Sequence, residues 1–200
     1  MKSVLKGFFF LVLSAVPALA QSSDDGFYTR ATVGRSYGAK SALKNGFYAQ
    51  TGFGQRWAGM WRTEFTFEYM RTAMQGAGAY NKEVFNVKTH LKSFAAMGSV
   101  YADFFADKAV SPYLGIGAGV TRNDLPDAVA DGRQVFGDSR FRLAWKAMAG
   151  LSVSLPKNLV LDIGYTYVDD GRFYTKKSFP PALRQDMKTR QAGIGLRYDF

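Results

Sequence analysis

The chain has 200 residues and no cysteine, so it offers neither a disulfide framework nor a thiolate metal site. Hydrophobic residues make up 47% of the sequence, but none of it beyond the N-terminus forms a run of about 18 apolar residues, which excludes a transmembrane helix there. The formal net charge of +10 indicates an anionic partner of some kind.

The N-terminus has the organisation of an export signal. Lys2 and Lys6 form a basic start, an apolar run covers residues 7–16, and Ala18-Leu19-Ala20 has the small-x-small pattern of a cleavage site. This pattern predicts that residues 1–20 are a secretory signal peptide and that residues 21–200 form one domain. A buried N-terminal helix is the alternative. In an exported protein, the basic charge favours surface polyanions such as lipopolysaccharide over nucleic acid.

From residue 26 onward, apolar and polar side chains alternate with a period of two, which predicts strands with one apolar and one polar face. The clearest alternation covers residues 61–71, where aromatic residues and threonine oppose Arg62, Glu64 and Glu68. The predicted strands are residues 26–37, 47–57, 61–71, 91–104, 112–122, 141–155, 159–168 and 190–200.

The connections between these strands alternate in length, with long ones at about 38–46, 72–90, 123–140 and 169–186 and short ones between them. This order is typical of an antiparallel up-and-down barrel that crosses a membrane. The predicted fold is all-β: an eight-stranded transmembrane β-barrel with short periplasmic turns and four long extracellular loops. A lipocalin-like barrel, with its apolar face inward, is the alternative.

The polar strand faces decide between these two barrels. They carry seven charged residues, which are Arg62, Glu64, Glu68, Arg142, Lys146, Asp162 and Arg197. Burying these charges in an apolar core costs too much free energy, whereas a polar barrel interior accommodates them. We therefore expect a lumenal charge network inside, an apolar face towards lipid, and aromatic residues near the strand ends at the membrane interfaces.

The last predicted strand places Ala192, Ile194, Leu196, Tyr198 and Phe200 on its apolar face. This strand resembles the C-terminal strand of the small outer-membrane β-barrel family of opacity-type and Lom-like surface antigens. That family is related in fold to the barrel of outer-membrane protein A. Three further segments carry the same resemblance, which are 61–69 (WRTEFTFEY), 111–119 (SPYLGIGAG) and 162–169 (DIGYTYVD). The resemblance implies an outer-membrane location. It also implies that Gly195, Tyr198 and Phe200 match the signal that such barrels present to the barrel-assembly machinery.

The predicted loops carry basic residues, which are Lys82 and Lys88 in the second loop and Arg172, Lys176, Lys177 and Arg184 in the fourth. Cations just above a bilayer are suited to lipopolysaccharide phosphates. A solvated loop surface without a ligand explains the same residues equally well.

The first functional hypothesis is a structural, surface-exposed barrel whose loops contact lipopolysaccharide or external surfaces. A narrow channel for small solutes or ions is the second, although an eight-stranded barrel has an interior that side chains can fill. The third is a lipid A-modifying enzyme, which is disfavoured because His90 and Ser93 have opposite parity in a strand. We expect a monomer with no catalytic residue, metal or cofactor, and no binding to nucleic acid.

Overall fold

The computed structural model describes residues 26–38, 43–57, 59–80, 83–124, 128–130, 133–135, 139–174 and 184–200. In this part of the chain all regular structure is β. The strands are β1 (Phe27–Gly38), β2 (Leu43–Trp57), β3 (Trp61–Tyr80), β4 (Glu83–Asp103), β5 (Val110–Asp124), β6 (Ala128–Ala130), β7 (Arg133–Val135), β8 (Ser139–Leu155), β9 (Leu159–Tyr174) and β10 (Arg184–Asp199). Among the described residues, no helix is long and apolar enough to cross a membrane.

Eight of the strands close into a barrel in the order β1-β10-β9-β8-β5-β4-β3-β2, while β6 and β7 pair separately as a small hairpin. The barrel closes where β1 meets β10, in antiparallel register from Tyr28↔Asp199 to Gly38↔Thr189. Closure leaves no unpaired edge, which is what a membrane-spanning sheet requires. The predicted eight-stranded antiparallel barrel is thereby confirmed.

The two ends of the barrel differ. Short connections that include the turn residues 59–60, 104–109 and 156–158 lie at one end together with Gly26 and Phe200, and we call this the turn end. We call the opposite end the loop end.

The strand bounds at the loop end differ from the prediction, because residues 72–90 are mostly strand. β3 and β4 stay paired from Thr72↔Leu91 to Tyr80↔Glu83. Polar and Gly-rich composition indicates solvent exposure, but backbone pairing continues beyond the lipid-facing wall.

The faces of the strands are assigned as the alternation predicts. On β8, Leu143 is 83% exposed on the outer wall, whereas Lys146 is 1% exposed in the barrel interior, which we call the lumen. The outer wall is apolar and the lumen polar, the reverse of a soluble protein. The charged face therefore lies inside the barrel, as lipid on the outside requires.

Aromatic side chains border the outer wall at both ends. Trp57 and Trp61 are register partners at the turn end, where the rings of Tyr198 and Phe200 also lie 5.1 Å apart. Towards the loop end, Tyr69 and Phe94 form a ring pair with centroids 5.0 Å apart. Such rings suit the two membrane–water interfaces.

Two inward-facing glycines give room for tyrosine rings in the lumen. A Cβ atom at Gly115 would lie 2.5 Å from the ring of Tyr101, and one at Gly150 would lie 2.5 Å from the ring of Tyr113. Both distances are shorter than van der Waals contact, so the rings reach their positions only because these strands lack a side chain there.

Candidate functional site: the charged lumen

The centre of the lumen is an ion pair between β1 and β3. Arg30 Nη2 lies 2.5 Å from Glu64 Oε1 and donates a hydrogen bond of 2.8 Å to the Tyr101 hydroxyl. The same hydroxyl donates to Glu64 Oε1 over 3.3 Å and lies 3.2 Å from the sulfur of Met148. This group therefore connects strands from opposite sides of the barrel across its interior.

A second pair, Arg62–Asp103, lies closer to the turn end. Arg62 Nη2 donates a hydrogen bond to Asp103 Oδ1 over 2.9 Å, and Arg62 Nε makes an ion-pair contact of 2.6 Å with Asp103 Oδ2. The guanidinium also lies over three tyrosine rings, with centroid distances of 4.6 Å to Tyr101, 5.5 Å to Tyr113 and 5.6 Å to Tyr28. Arg62 is 0% exposed, so its charge depends entirely on these neighbours.

A third set continues the network to the turn-end rim. Ser152 donates to Asp162 Oδ1 over 2.6 Å, and Arg197 Nη1 lies 4.0 Å from the same oxygen. Arg197 Nε is 3.2 Å from Asp199 Oδ1, and Arg56 Nη2 is 3.0 Å from Asp199 Oδ2. The charges thus run from the middle of the lumen to its partly exposed rim.

Towards the loop end the contacts are mainly hydrogen bonds. Gln191 donates to Glu68 Oε1 over 2.5 Å, and Lys146 Nζ donates to Thr66 Oγ1 over 3.2 Å. The hydroxyls of Ser93 and Thr121 lie 3.0 Å apart. These contacts add a further filled layer across the lumen.

A small cavity remains beside the central pair. Its volume is about 20 Å³, and its lining includes Arg30, Thr32, Tyr48, Gln50, Asp162 and Thr166. A single water needs roughly 10–15 Å³ by this measure, so the space suits about one water molecule bonded to polar walls. It is far too small to be an open pore.

Of the seven charges named from the sequence, six are buried in the lumen: Arg62, Glu64, Glu68, Lys146, Asp162 and Arg197. Arg142 also follows the inward parity of β8 but is only half-buried, at the loop end opposite Thr121. Sequence reasoning missed Arg30 and Asp103, which hold the two central pairs. Both residues have the inward parity of their strands, so the alternation of side chains was sufficient to include them in the predicted lumenal network.

The structure describes the backbone of only some of the predicted loop residues. Lys82, Lys176 and Lys177 lie outside the described residues. The backbones of Lys88, Arg172 and Arg184 belong to β4, β9 and β10. Their contribution to ligand contact stays a prediction.

The predicted assembly-signal residues lie where β10 meets β1. Tyr198 and Phe200 face outward, whereas Gly195 lies opposite Thr32 with its backbone against that side chain. The Phe200 amide donates to the Phe27 carbonyl over 2.9 Å, so the last residue helps to close the barrel.

The described residues show no catalytic pair around the histidine. His90 is exposed, while Ser93 is buried and bonded to Thr121, so the two side chains lie on opposite faces of β4. Within the described part of the chain, no group of three or more His, Cys, Asp or Glu residues is arranged to hold a metal ion.

Comparisons with known proteins agree with this architecture. An uncharacterised protein of Brucella abortus (strain 2308) is 28% identical over 207 residues, covering 80% of this chain and 70% of the relative. Among solved structures, neisserial surface protein A has a TM-score of 0.57 at 20% identity, covering 90% of this chain and 100% of that one. OprG from Pseudomonas aeruginosa has a TM-score of 0.62 at 12% identity, covering 90% of this chain and 98% of that one. At such identities the structural likeness shows the fold alone.

The match to a protein family is broader, because residues 7–200 match the family described as "Outer membrane protein beta-barrel domain". An apolar outer wall, a charged lumen and a closed antiparallel sheet are the features that a barrel in lipid needs. The chain belongs to the outer membrane protein β-barrel domain family, and its location is the outer membrane.

Proposed function

We propose that the protein is a structural, surface-exposed barrel with a non-conducting lumen, and that its loop end contacts lipopolysaccharide or external surfaces. The observation that carries this proposal is the filled lumen. Arg30–Glu64 and Arg62–Asp103 lie in it at successive levels, and the guanidinium groups of both arginines lie over the ring of Tyr101. An eight-stranded barrel is just wide enough for side chains to fill, which supports a lumen that does not conduct.

The loop end supports the surface role. β2 pairs with β3 only as far as Met74, and β5 pairs with β4 only as far as Lys92. In the described part of the chain, the β3–β4 hairpin beyond these points, residues 75–80 and 83–91, therefore pairs with no barrel strand on either side. At about 3.3 Å per residue, its six outermost pairs extend roughly 20 Å past the last β2–β3 pair. Loop contacts by Lys82, Lys88 and the basic residues of the fourth loop belong to this proposal.

The proposal assigns no enzymatic reaction, because a hydroxyl on the inward face of β4 and an imidazole on its outward face cannot act as a pair. We expect His90→Ala to leave lipid A unchanged, as wild type does, when both are incubated with lipid A and the products are analysed by mass spectrometry. Turnover that disappears in His90→Ala would contradict this assignment.

Assembly completes the proposal. The barrel-assembly machinery recognises the C-terminal strand through Gly195, Tyr198 and Phe200, and the chain inserts as a monomer that needs no cofactor. The exposed rings of Tyr198 and Phe200 at the turn end support this role, since they are accessible on the outer wall.

The test of the lumen is conductance in planar bilayers. We expect the refolded chain to give no steady, reproducible current above the lipid alone, because ions meet buried salt bridges at two levels. A steady current of constant unit size would contradict the proposal and favour the narrow channel.

A second experiment tests the loop end. Replacing residues 76–87 by an Asn-Gly turn shortens the hairpin without touching the barrel register. We expect normal insertion, shown by heat-modifiable gel migration, together with weaker retention on lipopolysaccharide-coated beads. Unchanged retention would contradict a contact role for this hairpin.

A further inference from the structure

Three outward-facing cations, Arg35, Arg71 and Lys92, lie in one row across the wall near the loop end, with Phe47 between the two arginines. The register pairs Arg35 with Phe47, Phe47 with Arg71, and Arg71 with Lys92, so the four residues lie side by side on β1, β2, β3 and β4. All four side chains are exposed on the outer wall. With strands about 4.8 Å apart, Arg35 and Arg71 are separated by roughly 10 Å.

The centre of this row is a like-charge pair. Arg71 and Lys92 are direct cross-strand partners, an arrangement that places their Cβ atoms about 4.5–5.5 Å apart and is destabilising on its own. Neither has an ion-pair partner in the described part of the chain. Asp124 is the next residue in the row, but it lies 3.2 Å from Arg122. An anion from outside the chain would relieve the repulsion.

The surface below this pair is apolar. One pleat towards the turn end lie Tyr69 and Phe94, which are themselves register partners with ring centroids 5.0 Å apart. Phe67, half exposed, lies a further pleat down on the same wall. Two cations above a continuous aromatic surface match an amphiphile with an anionic head and hydrocarbon chains, whereas a soluble anion would use only the upper part.

We propose that Arg71 and Lys92, with Arg35 beside them, bind the phosphate of an outer-leaflet lipid, lipid A, whose acyl chains lie on Tyr69 and Phe94. The Arg71 guanidinium holds two phosphate oxygens through its planar fork, and Lys92 contributes a point charge. This site rests on the proposed contact with lipopolysaccharide and deepens it, because it assigns lipid binding to the barrel wall below the loops.

The test compares two variants that remove the same charge. Arg71→Gln/Lys92→Gln changes the site, and Lys108→Gln/Lys157→Gln removes two exposed lysines at the turn end. Each refolded chain, in uncharged maltoside micelles, is titrated with diphosphorylated lipid A, with dephosphorylated lipid A and with inorganic phosphate. Heat-modifiable migration verifies that each variant is folded.

We expect the Arg71/Lys92 variant to bind diphosphorylated lipid A about 10- to 30-fold more weakly than wild type, and the Lys108/Lys157 variant to bind it within a factor of about two. Dephosphorylated lipid A should bind wild type and the site variant alike. In wild type, backbone amide NMR shifts should move at Arg35, Arg71 and Lys92, a readout that needs no variant to fold.

Three results would contradict the proposed site. They are an equal loss of lipid A affinity in both variants, an unchanged lipid A affinity in the Arg71/Lys92 variant, and displacement of lipid A by inorganic phosphate at equal concentration. If wild type binds lipid A while the site variant keeps full affinity, only the site is wrong and the loop-end contact stands. If wild type binds no lipopolysaccharide at all, the proposed function itself fails.

Discussion

Removing the guanidinium of Arg62 tests how strongly the lumenal network holds the barrel together. In Arg62→Met, the Asp103 carboxyl group stays buried at 4% exposure but loses both contacts, at 2.6 and 2.9 Å. Deleting one member of a buried ion pair costs about 3–5 kcal/mol. Three tyrosine rings also lose a cation over their faces. We expect the free energy of unfolding to fall by about 4 kcal/mol, measured by urea titration in lipid vesicles with tryptophan fluorescence.

Two further variants make this prediction specific. Arg56→Met breaks a pair with Asp199 whose members are 30% and 23% exposed, so solvent screening should limit its cost to about 0–1 kcal/mol. Arg62→Met/Asp103→Leu removes both buried charges. It should recover most of the free energy of unfolding lost in Arg62→Met, because no buried charge is then left without a partner. A loss below about 1 kcal/mol in Arg62→Met, no larger than in Arg56→Met, would refute the view that the lumenal charges depend on one another.

Two more outcomes follow from the packing. Gly150→Val places a side chain where the Tyr113 ring lies and should lower the free energy of unfolding by about 1–3 kcal/mol in the same titration, whereas Gly98→Val, with no atom within 4 Å of its Cβ, should change it little; equal effects would contradict the close approach. Deleting Phe200 removes the amide that donates to the Phe27 carbonyl and one exposed ring, so the yield of folded barrel after assembly into membranes should fall several-fold by heat-modifiable migration. A normal yield would show that this terminus has no special role.

The barrel architecture could be predicted from the sequence because a lipid environment imposes a simple rule. Every second residue of a spanning strand must face hydrocarbon, so parity assigns each side chain to the wall or the lumen. Trp61 and Arg62 show this directly, since adjacent positions differ between 47% and 0% exposure. Parity also placed Arg30 and Asp103 inside, although neither was included among the network residues.

The side-chain contacts inside the lumen could not be predicted from the sequence. Arg30 contacts Glu64 from 34 positions away, and Gln191 contacts Glu68 from 123 positions away. Such contacts depend on the strand stagger of the closed barrel, which shifts each strand along its neighbour. The extent of β3 and β4 was missed for another reason, because Gly-rich composition does not reveal backbone pairing in solvent.

The central claim, a sealed polar lumen inside an apolar wall, is tested most directly at two adjacent residues. The chain has no native cysteine, so Thr66→Cys and Phe67→Cys each introduce one thiol, at sites that are 1% and 50% exposed. In folded protein in vesicles, we expect the residue-66 thiol to resist a charged aqueous thiol reagent, and a fluorophore on the residue-67 thiol to be quenched by brominated lipid. Reaction at residue 66 as fast as in the unfolded chain, or a fluorophore at residue 67 that lipid does not quench, would contradict the sealed barrel.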